Sequence, residues 1–117
     1  MAHKICHIEI VSHDLEGTKD FYSKVFNWQC NDLMPNYGGW VPAEGELGGG
    51  FRVEEKTPEL QRTLIYIHVD NIDEMLGTIT ANGGTQVMPK TKISDEHGSF
   101  ALFLDPSGTC VGIWSQE

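Results

Sequence analysis

His7 and Glu9 stand two residues apart in the run Ile5-Cys6-His7-Ile8-Glu9-Ile10-Val11. Side chains alternate between the two faces of an extended strand, so His7 and Glu9 share a face with His3, Ile5 and Val11. Cys6, Ile8 and Ile10 take the other face, which reads as core. An imidazole that titrates near neutrality beside a carboxylate suits general acid/base chemistry, and the same imidazole is a metal ligand. A second run, Leu64-Ile65-Tyr66-Ile67-His68-Val69, puts Leu64, Tyr66 and His68 on one face, where a phenol and an imidazole can hydrogen-bond a small ligand. Trp40, Phe51 and Trp114 are the aromatic side chains suited to line a site for a planar or apolar molecule. His7 and Glu9 are therefore candidate catalytic residues, and Trp40, Phe51, Tyr66, His68 and Trp114 candidate ligand contacts.

The elements that carry these residues come twice. After the first strand, Asp14 is a plausible N-cap, and Leu15, Thr18, Phe21, Tyr22, Val25 and Phe26 recur at helical spacing up to Asn27. Trp28 to Met34 reads as a strand, Asn36-Tyr37-Gly38-Gly39 as a turn, Trp40-Val41 as a strand stopped by Pro42, and the glycine-rich run through Val53 as another. Glu54 to Arg62, polar and containing Pro58, suits a linker. The cycle then restarts. Asn71 with Glu74 resembles a capping box, Ile72, Met75, Leu76 and Ile79 form an apolar stripe, and Asn82-Gly83-Gly84 supplies a stop. Thr85 to Met88, Phe100 to Leu104 and Cys110 to Trp114 read as strands, with Asp105-Pro106-Ser107-Gly108 as a turn. The expectation is an α+β fold of two tandem βαβββ units, at about 3–55 and 63–116 with a linker at about 54–62. Each unit would form a curved, mostly antiparallel sheet with its helix on one face, and the uncovered faces would surround a cleft.

Composition narrows the partners. The chain has 117 residues, enough for one domain with its own core, and 8 Lys+Arg against 17 Asp+Glu give a formal charge of −9. That charge repels nucleic-acid backbones and anionic membrane surfaces, so neither is expected as a partner. Cys6, Cys30 and Cys110 have no zinc-site spacing and read as reduced thiols. With no apolar leader and no run of membrane-spanning length, the expected location is cytoplasmic. The glycines at 48 to 50 lack the Lys-Ser/Thr partner of a phosphate loop.

His-Ile-Glu-Ile-Val at 7 to 11, Asp-Leu at 14 and 15, Phe-Tyr at 21 and 22, Ile-His-Val-Asp-Asn-Ile at 67 to 72, Leu-Asp-Pro-Ser-Gly at 104 to 108 and Gly-Ile-Trp at 112 to 114 together resemble the vicinal oxygen chelate superfamily. This is the group of glyoxalase I, bleomycin- and fosfomycin-resistance proteins and extradiol dioxygenases. The resemblance covers essentially the whole chain and implies paired βαβββ units, a small-molecule ligand and a homodimer. It also implies a divalent metal, held by one residue on the first and one on the last strand of each unit. Carried onto this sequence, those positions are His7, Leu64, Gly112 and, aligning Gly48 to Phe51 on Val111 to Trp114, Gly49. Only His7 supplies a ligand atom, where a transition-metal site as a rule needs at least three. His68 lies four residues beyond Leu64, roughly 13 Å along a strand at ~3.3 Å per residue, too far to replace it. The expectation is therefore a glyoxalase-like small-molecule binding protein with a degenerate metal site and no resident cofactor. The alternatives are a metal-dependent lyase, isomerase or dioxygenase using His7 with unorthodox partners such as Glu9 and His97, and a metal-independent acid/base enzyme.

Overall fold

The computed structural model describes residues 2–55 and 63–117, so most of the expected linker lies outside the described residues. The element order is β1(Ile5–Ser12), α1(Leu15–Phe26), β2(Gln29–Met34), β3(Tyr37–Val41) and β4(Gly49–Val53), then β5(Leu64–His68), α2(Ile72–Ala81), β6(Thr85–Ser94), β7(Gly98–Leu104) and β8(Cys110–Ser115). This is an α+β fold with the βαβββ order present twice. The chain groups into two compact units, the first His7–Leu64 and the second Ile65–Glu117 together with the N-terminal residues through Cys6. Those N-terminal residues run beside β5, where the His68 amide donates to the Lys4 carbonyl at 2.9 Å and His3 Nδ1 to the His68 carbonyl at 3.0 Å.

In the first unit the strand order is β2-β3-β4-β1, with β1 and β4 parallel and the other pairs antiparallel. Asp14 caps α1 by accepting from the Gly17 amide at 3.2 Å. Asn27 ends the helix in the left-handed region at φ 61°, a conformation that asparagine tolerates better than most side chains. Four rings form the interior: Tyr22 from α1 stacks on Phe51 at 5.5 Å and on Trp28 at 5.0 Å, Trp28 on Trp40 at 4.6 Å, and Trp40 lies 5.2 Å from Phe51. No residue of α1 is fully buried, and Phe21, Val25 and Phe26 are each more than half exposed.

In the second unit the order is β5-β8-β7-β6, with β5 and β8 parallel. Asn71 caps α2 through the Glu74 amide at 2.9 Å, and the helix buries Ile72 and Leu76 against Val69, Ala101 and Ile113. Fully burying an aliphatic of this size stabilises by about 1.5–3 kcal/mol, so this helix is fixed by its stripe. The Asp105 carboxylate accepts from the Ser107 and Thr109 amides at 2.9 and 3.0 Å, which makes the β7–β8 connection a side-chain-closed turn.

Two strands depart from the expected boundaries by more than two residues. β6 runs on to Ser94 through Pro89, which is accommodated because the register shifts between Met88 and Thr91 and the strand lies at the end of its unit's order. β3 begins at Tyr37, so the turn is Pro35-Asn36, with Asn36 at φ 60°, and Tyr37 is a strand residue.

Candidate functional site

The first unit's strand register sorts its side chains into two faces. Glu9 pairs with Gly50 and Val11 with Arg52, while Tyr37 pairs with Arg52 and Gly39 with Gly50. His7, Glu9, Tyr37 and Arg52 therefore share the face turned away from α1. Ile8, Gly38, Trp40, Gly49 and Phe51 face the helix, where a Cβ on Gly38 would stand 2.9 Å from Leu15 of α1. Trp40 and Phe51, expected as ligand contacts, are thus placed on the opposite face from His7 and Glu9. Phe51 is 0% exposed and stacked under Tyr22, which makes it core.

On the face away from α1 three polar groups form a chain. His7 Nε2 lies 2.8 Å from the Tyr37 hydroxyl, and that hydroxyl donates to Glu9 Oε2 at 2.8 Å. Glu9 is 6% exposed, so its carboxylate depends on protein donors, as a buried polar group must. Arg52 Nε stands 3.8 Å from Glu9 Oε1 and 3.1 Å from Glu54 Oε1, ion-pair distances that lack hydrogen-bond alignment, since this buried nitrogen has no hydrogen-bond partner among the described residues. Burial pushes the His7 imidazole below its usual 6.5, and the charge of Glu9 partly opposes that. Leu33 and Val41, about half exposed, sit beside this chain on the same face: a Cβ on Gly39 would meet Leu33 at 2.6 Å, and Val41 alternates with Gly39.

Gly50 is what admits Tyr37. A Cβ at Gly50 would fall 2.0 Å from the Tyr37 hydroxyl oxygen and 2.2 Å from its Cζ, so no other residue fits without moving the ring. The second unit repeats this device: a Cβ on Gly112 would meet the Tyr66 ring at 2.4 Å, and Tyr66 and Gly112 are register partners. Glu9 with Gly50 is the matching pair in the first unit. The last-strand position equivalent to Gly112 is therefore Gly50, which corrects the assignment to Gly49. Gly49 faces Trp40 on the helix side, its Cβ position 2.4 Å from that ring.

Tyr66 is 5% exposed and meets Phe100 edge-on at 6.3 Å. His68 and Trp114 lie 5.7 Å apart on the same face, and Trp114 Nε1 donates to the His97 carbonyl at 2.8 Å. His97 Nδ1 is 2.9 Å from Ser94 Oγ at the β6–β7 turn. Among the described residues no three His, Cys, Asp or Glu side chains gather as a metal site would require. The superfamily positions do not fit a transition metal either. Leu64, Gly50 and Gly112 offer no side-chain ligand atom, aromatic rings fill the space beside both glycines, and His7 Nε2 is engaged by Tyr37.

Nothing in the local alternation of residue types marks Tyr37 and Arg52 as residues of this face. A turn over Asn36 to Gly39 gives the Tyr37 side chain no defined face. The signal that identifies it is Pro35-Asn36, a two-residue turn pattern that leaves Tyr37 to open the next strand.

The sequence profile of the Glyoxalase/Bleomycin resistance protein/Dioxygenase superfamily matches residues 4–113. The chain belongs to this superfamily. It is 28% identical over 116 residues to a Mycobacterium bovis protein named "Putative glyoxylase CFP32", covering 92% of this chain but only 43% of that relative, so it spans less than half the relative's length. A "Glyoxylase-like domain-containing protein" of Didymella fabae is 27% identical over 120 residues, covering 94% of this chain and 91% of that one. Among solved structures, the Mn(II)-bound glyoxalase from Novosphingobium aromaticivorans superposes with a TM-score of 0.68 at 16% identity, over 98% of this chain and 40% of that one. At that identity the likeness is one of fold.

Proposed function

We propose that this superfamily member binds a small molecule on the face of the first unit that carries His7, Tyr37 and Glu9, with its metal positions degenerate. The observation that carries the reading is the engagement of His7, the one ligand-bearing position, by a phenol at 2.8 Å. A buried polar chain beside the apolar side chains of Leu33 and Val41 is the composition of a ligand site, a few placed polar groups among apolar ones. On the second unit Tyr66, His68 and Trp114 share one face and are proposed as ligand contacts there.

The test has two parts. Elemental analysis of protein purified without chelators, beside a His7→Ala variant, is expected to find no stoichiometric transition metal in either. A near-stoichiometric metal lost with His7 overturns the reading and favours a metal-dependent enzyme on oxygen-chelating substrates. A screen of small aromatic and hydroxylated compounds, read as Tm, is expected to find a stabiliser; a ligand at a hundred times its Kd adds about 2.7 kcal/mol. The effect should vanish in Glu9→Gln.

A metal-independent acid/base enzyme is the second reading, favoured by the lowered pKa of His7, which keeps the imidazole neutral near pH 7 and able to accept a proton. Turnover lost in His7→Gln and unaffected by chelators would select it. We also propose a homodimer, supported by the exposed apolar side of α1, Phe21, Val25 and Phe26, and checked by light scattering. Cytoplasmic residence is supported by three unpaired cysteines. Among the described residues no helix is long and apolar enough to cross a membrane.

A further inference from the structure

Tyr37 stands between the two residues that the proposed function relies on, with its oxygen 2.8 Å from His7 Nε2 and 2.8 Å from Glu9 Oε2. A phenol has one proton to donate, and a carboxylate oxygen accepts. The Tyr37 proton therefore lies toward Glu9, and the Tyr37 oxygen is left to accept from His7. That requires the proton of the neutral imidazole to be on Nε2, which makes Nδ1 the acceptor nitrogen. Two features hold the phenol there. Gly50, the register partner of Glu9, makes room for the hydroxyl, since a Cβ would stand 2.0 Å from it. Arg52, the register partner of Tyr37, brings its guanidinium to 3.8 Å from the other Glu9 oxygen, an ion-pair distance that anchors the carboxylate to which the phenol donates.

We infer that Tyr37 is the positioning residue of this site: by bridging His7 Nε2 to Glu9 it fixes His7 as the Nε2–H tautomer with Nδ1 as acceptor, and Gly50 is glycine to allow that bridge. The inference rests on the proposed role of His7 and Glu9 for its functional meaning, but the hydrogen-bonded proton itself is measurable without any ligand. A residue that merely packs would leave the imidazole proton unchanged when its hydroxyl is removed. A positioning residue would not.

The experiment is ring nitrogen–proton NMR on protein labelled with 15N at histidine, at pH 8, where the imidazole is neutral. In the wild-type protein His7 is expected to show a protonated Nε2 whose proton exchanges slowly enough to be seen directly. In Tyr37→Phe, which keeps the ring and removes the hydroxyl, that signal should be lost to exchange with water, and Gly50→Ala should lose it by displacing the phenol. A wild-type His7 protonated on Nδ1 overturns the inference without any variant being needed, as does an Nε2 proton equally protected in Tyr37→Phe. Failure of the ligand screen leaves these NMR outcomes intact, and a wrong tautomer leaves ligand binding intact, so the two readings fail separately.

Discussion

The first unit is held by flat rings, Tyr22, Trp28, Trp40 and Phe51, and the second by branched aliphatics, Val69, Ile72, Leu76 and Ile113. Both follow the same strand–helix order, yet their helices are docked differently. α2 sinks Ile72 and Leu76 into its unit, whereas α1 buries no residue fully and reaches its sheet chiefly through Tyr22. Aliphatic side chains interdigitate and fix a helix by volume. Stacked rings leave more of the helix surface uncovered. The polar chain of His7, Tyr37 and Glu9 belongs to the ring-packed unit, while the matching face of the second unit is aromatic at Tyr66 and Trp114. The two units therefore differ in composition, one carrying the buried polar chain and the other most of the aliphatic core.

The largest effects should come from breaking either interior. Phe51→Ala removes the ring at the centre of the first unit's stack and should cost about 3–5 kcal/mol, and Ile72→Ala should cost about 2–5 kcal/mol in the second, read as urea midpoints. A cost below about 1 kcal/mol for Phe51→Ala would mean that the stack does not hold the first unit. Next in size is the pair Gly50→Ala and Gly112→Ala. Each pushes a methyl group into a tyrosine ring and should cost about 1–3 kcal/mol by overpacking. The two should separate in Glu9's environment: only Gly50→Ala displaces the phenol that donates to Glu9, so only it should abolish the directly observed His7 ring proton. On the exposed side of α1, Val25→Ser should change stability by no more than about 0.5 kcal/mol, while the corresponding loss of apolar surface should weaken self-association in light scattering.

How much of this was legible in the sequence varies with the physics involved. Alternation and capping are local, so β1, both helix starts and the shared face of His7 and Glu9 follow directly from residue types. The Asp105 turn was legible for the same reason. The face of a residue beyond a turn depends on where the turn ends, and placing the turn at 36–39 rather than at Pro35-Asn36 concealed Tyr37. The face of a glycine cannot be read from its own side chain at all. Gly48, Gly49 and Gly50 are indistinguishable in the sequence, and only the pairing of Glu9 with Gly50 shows which of them shares a face with His7 and Glu9. Aromatics such as Trp40 and Phe51 suit both cores and ligand sites, and it is stacking with Trp28 and Tyr22 that sets them on the helix side of the sheet. Arg52 carries no motif, and its position beside Glu9 is set by the parallel register of β1 and β4.

The smallest expected effect is also the most specific to the difference between the units. The His7 imidazole is held below its usual value by burial, so the unfolded chain binds a proton more readily than the folded one. Unfolding is then favoured by acid: the contribution of His7 to stability is fully present above about pH 6.5, the unfolded value, and is lost as pH falls through the lower folded value. Urea unfolding of the wild-type protein and His7→Gln at pH 7.5 and pH 5.5 isolates this, because the other titrating groups are common to both proteins. The wild type should lose more stability on acidification than the variant. Glu9→Gln should widen the loss, since removing the carboxylate removes the charge that partly raises the imidazole's pKa, and an NMR titration of His7 in that variant should show a lower midpoint than in the wild type. An equal acid response in wild type and His7→Gln would place His7 in water, and with it the whole distinction between a polar, buried first-unit face and a conventionally packed second unit would fail.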